Sequence, residues 1–533
     1  MLYFIKENWS YQNFLWYKSL LWGVKELNTY LMFFLALIPI IILIIGLGVL
    51  KIPAHKICPI ALIITILLSI FIWKMPTIDS LTAALEGIAL GIWPIMIVII
   101  AAVFTYNLVV HTKAMEVIKS MLISVSDDKR ILVLILAWGF GGFLEAVAGF
   151  GTAVAIPVGI MAALGFNPFF AAVICLVANT TPTAFGAIGL PVITLANVSG
   201  VPIESLSYYV VLQLFLFVVL IPFVLVALTE KTLKGIKGVF GITLASGLSF
   251  GIVQVLVAKF LGPELPAVLG SIVSLLVTIF IAKKFYKHNE ETKREESFKL
   301  KSVLIAFSPF ILILVIIIGI SPLFPGLYNK LSEIRTSVNI YTGVGAKPYT
   351  FVWLTTPGIL ILIASFIGGF IQKASLKEMV EILLKTIKQM SKSTITILAI
   401  IALAKVMGYS GMVASIATVL VMITGSFYAF IAPFIGALGT FVTGSDTSAN
   451  VLFGSLQAEA ANSLGISPAW LGAANTCGAT AGKMISPQSI AVATAATGLA
   501  GKEGKILNST LKVCIVYVIL LGAISYLGSL IFV

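Results

Sequence analysis

Two stretches of this chain pair a glycine-bearing turn with a downstream Asn-Thr: Gly149-Phe-Gly-Thr152 followed by Asn179-Thr180, and Gly444-Ser-Asp-Thr447 followed by Asn475-Thr476. In both, Asn-Thr leads at the same spacing to a glycine and then a proline, NTTPTAFGAIGLP ending at Pro191 and NTCGATAGKMISP ending at Pro487. Gly149, Gly151 and Gly444 permit positive φ and a close approach of backbone to ligand. Thr152 in the first copy and Asp446, Thr447 and Ser448 in the second are helix-capping types at an expected helix start, and Ser445 beside them is a further candidate for substrate contact. Free N–H groups at a helix start, with the positive end of the dipole, can hold a carboxylate. One such copy reads as an ordinary helix break with a cap; two matched copies favour an anion site built from both.

Four ionisable residues fall in or beside these stretches or inside an apolar span: Glu145, Lys405, Asp446 and Lys483. A charge at bilayer depth costs at least ~2.5 kcal/mol on insertion scales, so such groups pair with one another or serve a pathway. Lys483 follows the glycine of the second copy and is the preferred cation for an anionic substrate, with a structural salt bridge as its alternative. Glu145, four residues before the first tip, is the first candidate for a coupling proton, because an apolar setting lets a carboxyl take one up and release it. Asp446 is the second, and equally suits a cap or a cation ligand. Lys405 is expected to snorkel to the interface, and Glu86 and Glu459, near span ends, to be solvated. Asn179, Thr180, Asn475 and Thr476 are expected where two spans unwind and freed carbonyls face a ligand or an Asn side chain. Pro182 removes a donor and disfavours helix just before it.

The elements that position these residues must cross a membrane. Of 533 residues 59% are hydrophobic and 10% charged, with mean hydropathy +1.11, which makes an all-α polytopic membrane protein and sets soluble enzymes aside. The net charge of +13 belongs to cytoplasmic loops in a lipid bilayer rather than to a nucleic-acid partner. Crossings are expected near 30–50, 57–73, 82–110, 168–198, 207–228, 239–258, 264–282, 302–320, 351–371, 393–410, 467–498 and 510–531, about 12 transmembrane helices. The stretches 131–166 and 427–464, each broken by glycine near the middle, read as two re-entrant hairpins. The basic loop 283–301 is placed in the cytoplasm, both termini outside, and 321–350 as a long external loop. The two hairpins then enter from opposite sides, which makes two inverted-topology repeats. Residues 1–29, with Trp9, Trp16 and Trp22, form an interfacial segment. Residues 30–229 form the first repeat with hairpin 131–166 and broken helix 168–198. Residues 230–301 are linker helices and the basic loop, and 302–533 the second repeat with hairpin 427–464 and broken helix 467–498. Paired broken spans in two halves point to the binding site of a secondary transporter. Cys58, Cys175, Cys477 and Cys514 read as small buried hydrophobes, and His55, His111 and His288 share no ligand spacing, so neither a metal nor a cofactor is expected.

Through FLEAVAGFG (Phe143 to Gly151), NTTPTAFGAIGLP, GPELP (Gly262 to Pro266), TGSDTSAN (Thr443 to Asn450) and GKMISPQS (Gly482 to Ser489), the chain resembles the lactate permease family over essentially its whole length. That resemblance implies a bacterial cytoplasmic-membrane carrier performing proton-coupled symport of L-lactate and related 2-hydroxy monocarboxylates such as D-lactate and glycolate. A sodium-coupled carrier and a dicarboxylate carrier are the nearest alternatives, although a second carboxylate would want a second fixed cation. An anion channel suits buried charges in paired repeats less well. An enzyme lacks a nucleophile and base constellation.

Overall fold

A computed structural model of the chain describes residues 28–50, 52–147, 149, 151–286, 300–320, 324–499 and 502–532. The interfacial segment expected at 1–29 and the middle of the basic loop at 287–299 lie almost wholly or wholly outside these. Among the described residues, eleven helices are long and apolar enough to cross a membrane. Two expected crossings are shorter than a full span, Ser308–Gly319 with 12 residues and Pro357–Ile371 with 15. The expected 393–410 crossing is the last part of a 35-residue helix, Leu376–Ser410, as long as Thr77–His111. Its first half carries Lys377, Lys385, Lys388 and Lys392, which a hydropathy reading cuts off although the helix continues.

The element order recurs in the two halves. Ala54–Phe71, Thr77–His111 and the short Ala114–Ile123 are matched by Pro357–Ile371, Leu376–Ser410 and Met412–Thr424. Each series continues with two helices joined at a glycine turn. Lys129–Val147 meets Thr152–Ala163 through Gly149 and Gly151, at φ 57° and 87°, and Tyr428–Thr443 meets Asp446–Leu464 through Gly444 at φ 74°. Positive φ at these turns is what glycine supplies. Next come Pro168–Ala178 and Pro468–Lys483, and each half closes on a long helix, Ile203–Glu230 and Glu503–Ser529. Phe240–Phe260 and Pro266–Phe285 connect the halves.

Burial separates scaffold from interior. In Lys129–Val147 and Thr181–Ser199, 94% and 89% of the apolar window is buried, against 28% in Asn28–Gly46 and in Ala54–Phe71, so the former face protein and the latter present apolar side chains outward. The interior helices approach at backbone contact: a Cβ at Gly436 would overlap the Asn475 carbonyl, and one at Gly478 the Pro433 carbonyl. Small residues at helix crossings allow this packing where lipid supplies no hydrophobic drive between helices. Cys58, Cys175, Cys477 and Cys514 are free and buried.

Two expectations from the sequence are corrected here. The segment read as a loop over 321–350 holds the helix Pro325–Ser332 and an antiparallel pair, Arg335–Val338 with Tyr349–Val352. It is strapped onto the long helices: Trp93 Nε1 donates to the Val352 carbonyl at 2.9 Å, the Tyr349 hydroxyl donates to the Trp93 carbonyl, and Tyr341 stacks on Tyr409 with ring centroids 3.8 Å apart. Glu86 is not solvated, being 4% exposed, and Lys405 does not reach for the interface alone. Lys405 Nζ lies 2.9 Å from Glu86 Oε1, which also accepts from the Tyr409 hydroxyl at 2.8 Å. Each charge is the partner that makes the other tolerable inside apolar helices.

Candidate functional site

The two glycine turns meet at one cavity of about 170 Å³. At roughly 30 Å³ per water in the liquid, that is space for a small organic ion rather than a large ligand. Gly149, Gly151 and Glu145 line it from the first half, and Gly444, Ser445, Asp446, Thr447, Ser448 and Lys483 from the second.

On the first side, Glu145 is 3% exposed and lies over Gly186, where a Cβ would come within 2.8 Å of its Oε1. The floor beneath it is the unwound segment the NTTP string predicts. Pro168–Ala178 stops at Asn179, a 3-10 turn runs over Thr181–Phe185, and Ala187, Ile188 and Gly189 take φ of 44°, 58° and 75°. Hydroxyls satisfy the freed carbonyls: Thr180 Oγ1 donates to the Val177 carbonyl at 2.8 Å and Thr183 Oγ1 to that of Asn179. A β-branched Ile at positive φ is costly and persists only where the surroundings hold it. Here Gly189 is pressed so closely on the Pro263 carbonyl that a Cβ would overlap it. The GPELP loop therefore braces the turn.

On the second side, Ser445 caps Asp446–Leu464, its Oγ accepting from Ser448 N at 3.3 Å. Asp446 is 2% exposed; its Oδ1 accepts from Thr476 Oγ1 at 3.0 Å and its Oδ2 has no hydrogen-bond partner among the described residues. Lys483 ends Pro468–Lys483, and its Nζ donates to the Gly444 carbonyl at 3.1 Å. It is the only cation among the described lining residues, and its field reaches both Glu145 and Asp446. Among the described residues it forms an ion pair with neither, so the salt-bridge alternative lacks its contact.

The NTCG string does not unwind. Pro468–Lys483 runs helical through Asn475, and the interruption falls about two and a half helical turns later, over Met484–Ser486 before Pro487. The reason is a single position: three residues after the Asn, the first copy has Pro182 and the second Gly478. Proline breaks the ladder, whereas glycine keeps its N–H and lets the helix lie against Pro433. Asn475 and Thr476 consequently stand behind the cavity in a buried relay. Gln457 Nε2 donates to Asn475 Oδ1 at 3.2 Å, Asn475 Nδ2 to Asn450 Oδ1 at 2.9 Å, and Asn450 Nδ2 to Thr476 Oγ1 at 2.8 Å. Thr476 then donates to Asp446. Asn450 also donates to the Pro191 carbonyl at 3.1 Å, tying this relay to the other half. Asn179 and Thr180 are likewise outside the lining; Asn179 lies beside the Glu145 carboxyl, its amide making no hydrogen bond of normal geometry among the described residues. Thr152 begins its helix at the first turn.

Sequence reasoning missed three groups of lining residues. Thr183 lies in the NTTPT string, where nothing in the sequence sets it apart from Asn179. Gln488, Ser489 and Val492 come from Pro487–Thr497, whose start was legible in the Ser486-Pro487 cap signal. Ser393 and Thr396 come from the uninterrupted Leu376–Ser410 and carry no local signal.

The family model described as L-lactate permease matches residues 32–532. The chain is 54% identical over 439 residues to an L-lactate permease of Streptococcus iniae, covering 82% of this chain and 93% of that one. It is 36% identical over 537 residues to the glycolate permease GlcA of Escherichia coli, covering 93% and 95%. The solved YdaH transporter of Alcanivorax borkumensis is more distant, with 13% identity and a TM-score of 0.49 over 84% of this chain and 87% of that one.

Proposed function

This chain belongs to the L-lactate permease family of multi-pass bacterial membrane transporters, and we propose that it is a secondary active carrier of L-lactate and related 2-hydroxy monocarboxylates, D-lactate and glycolate among them, coupled to protons. One observation carries this reading: the turns of both halves converge on a small cavity holding one cation, Lys483, and two carboxyls, Glu145 and Asp446. One ammonium matches one substrate carboxylate; a dicarboxylate would leave a charge without a fixed partner. The names of the relatives, L-lactate permease and glycolate permease, support the same substrate class.

In this reading the substrate carboxylate docks on Lys483 Nζ and on the N–H groups that open Asp446–Leu464, with Ser445, Thr447 and Ser448 around it and Gly149, Gly151 and Gly444 admitting close approach. Glu145 carries the coupling proton and Asp446 is the second candidate, held in place by Thr476 and Asn475. The repeats run over 30–229 and 302–533, joined by 230–301, with 131–166 and 427–464 as re-entrant hairpins. We take the repeats as oppositely oriented, because the segment before the first hairpin is basic (His111 to Arg130) and its counterpart, Gly408 to Phe427, carries no charge. Opposed repeats around a shared midplane site suit alternating access.

The test is uptake of labelled lactate into proteoliposomes with proton and sodium gradients imposed separately. Saturable counterflow and accumulation driven by an inward proton gradient are expected. Flux without counterflow would mean a channel, and accumulation driven by sodium alone would replace the proton with a cation held at Asp446.

A further inference from the structure

Resting on the reading of the cavity as a 2-hydroxy acid site, we propose that Ser489 is a specificity-determining residue: its hydroxyl donates to the 2-hydroxyl oxygen of the substrate while Lys483 holds the carboxylate. The two groups a 2-hydroxy acid presents are on adjacent carbons, so a reader of both must offer a cation and a donor side by side. The interruption at Met484–Ser486 does this. It separates Lys483, the last residue of one helix, from Ser489 in the first turn of the next, and both line the cavity.

Position just past the chain break after Lys483 and the hydrogen bonds together favour Ser489 among the hydroxyls there. Thr183 gives its hydrogen to the Asn179 carbonyl, Thr396 to the Lys392 carbonyl at 3.0 Å, and Thr443 to the Gly439 carbonyl at 2.8 Å, so these can only accept from a ligand. Ser489 is 5% exposed, and its Oγ accepts from Ser486 Oγ at 2.8 Å. Ser486 in turn accepts from Ser489 N at 3.2 Å, so the two residues hold each other at the start of the helix. The Ser489 hydrogen meets no acceptor among the described residues, and the cavity is the space left to it. A hydroxyl that already accepts is a better donor, because chained hydrogen bonds polarise one another. Ser445, Thr447 and Ser448, which also line the cavity, belong to the opposite turn and to the carboxylate contact described above, and Ser393 comes from Leu376–Ser410, away from the break that holds Lys483.

The experiment compares pairs of acids that differ only in the 2-hydroxyl, lactate with propionate and glycolate with acetate, as inhibitors of labelled-lactate counterflow in proteoliposomes. Wild type should prefer each hydroxy acid. Ser489→Ala should weaken lactate about tenfold and leave propionate unchanged, so that the preference shrinks by that factor. Ser489→Thr, which keeps the hydroxyl, should retain most of it, and Ser486→Ala, which removes the relay but not the donor, should lose less than Ser489→Ala. Equal weakening of lactate and propionate in Ser489→Ala, or an unchanged ratio, overturns the proposal while leaving the carrier reading intact. Absence of lactate counterflow in wild type removes the carrier reading and the proposal with it.

Discussion

Replacing Lys405 by methionine isolates what the ion pair with Glu86 contributes to the fold. The change keeps the length and apolar stem of the side chain and removes the ammonium 2.9 Å from Glu86 Oε1. Glu86 is then left 4% exposed with a hydrogen bond from Tyr409 and an Oε2 that already lacks a partner among the described residues. Removing one member of a buried pair costs about 3–5 kcal/mol. The Lys405 side chain is 19% exposed, so solvent already screens part of the interaction and about 3 kcal/mol is expected. With an unfolding entropy of ~2.1 cal/mol/K per residue, a chain of 533 residues should melt about 3 °C lower. Glu86→Gln should cost less, because the freed Lys405 can extend toward solvent. The double variant Glu86→Gln/Lys405→Met should lie within about 1 kcal/mol of wild type, since replacing a buried pair outright is often neutral. Thermal unfolding of the four proteins in one detergent checks all three expectations. Additive losses in the double variant would show that the two charges are not coupled and that the pair does no more than coexist in the structure. Neither residue lines the cavity, so the half-saturating lactate concentration of surviving protein should stay within about twofold of wild type.

Three further outcomes test the site and the linker. Lys483→Ala should abolish or severely weaken lactate binding with membrane insertion intact, and Lys483→Arg should rescue it only in part, since a planar fork replaces a compact ammonium; equilibrium binding to purified protein decides. Glu145→Gln should spare lactate counterflow at zero gradient and stop uptake driven by an inward proton gradient, whereas equal loss of both would make Glu145 a structural or substrate-contact residue. Glu264, in the loop between Phe240–Phe260 and Pro266–Phe285, has its carboxyl pushed by burial from the ordinary 4.5 up to about 7, with Glu204 adding to the rise. A carboxyl raised in the folded state favours folding when protonated, so stability should be greatest below about pH 4.5 and fall as pH rises through 7, by about 3 kcal/mol at most. Melting curves at pH 5 and pH 8 should converge in Glu264→Gln; an undiminished pH effect would place the titrating group elsewhere.

The tips of the two turns were legible because everything that makes them is local: glycine for positive φ at Gly149, Gly151 and Gly444, and a helix start among capping residue types, although the cap itself falls on Ser445, one residue before the expected Asp446. The unwound segment at Asn179 was legible for the same reason, through Pro182. The assignment of Asn475 failed because the repeat similarity of the Asn-Thr pair outweighed the one difference that decides helicity, Pro182 against Gly478. Ser393 and Thr396 were invisible because an unbroken helix gives no sign of which turn faces a cavity, and the Glu86–Lys405 pair because its members are 319 positions apart in the sequence. Each of these depends on tertiary packing, which periodicity alone does not encode.

The departures from symmetry are as informative as the repeat. If both Asn-Thr segments unwound alike, the cavity would have two similar floors and no fixed cation. Instead the first unwinds at Asn179 and places Gly186 beneath Glu145 and Ala187 beneath Gly149, while the second stays helical until Lys483 and delivers an ammonium there. The Asn-Thr pair that remained helical became the relay from Gln457 to Asp446, with Asn450 reaching across to the Pro191 carbonyl of the first half. A Pro at 478 would therefore shift the break by more than a helical turn, carry Lys483 off the Gly444 carbonyl and open the relay behind Asp446. Gly478→Pro should lose lactate binding as completely as Lys483→Ala although residue 478 does not line the cavity. Gly478→Ala, which keeps the N–H but overlaps the Pro433 carbonyl, tests packing alone and should destabilise by about 1–3 kcal/mol. Retained binding in the proline variant would mean that helicity through Asn475 is not what positions the cation.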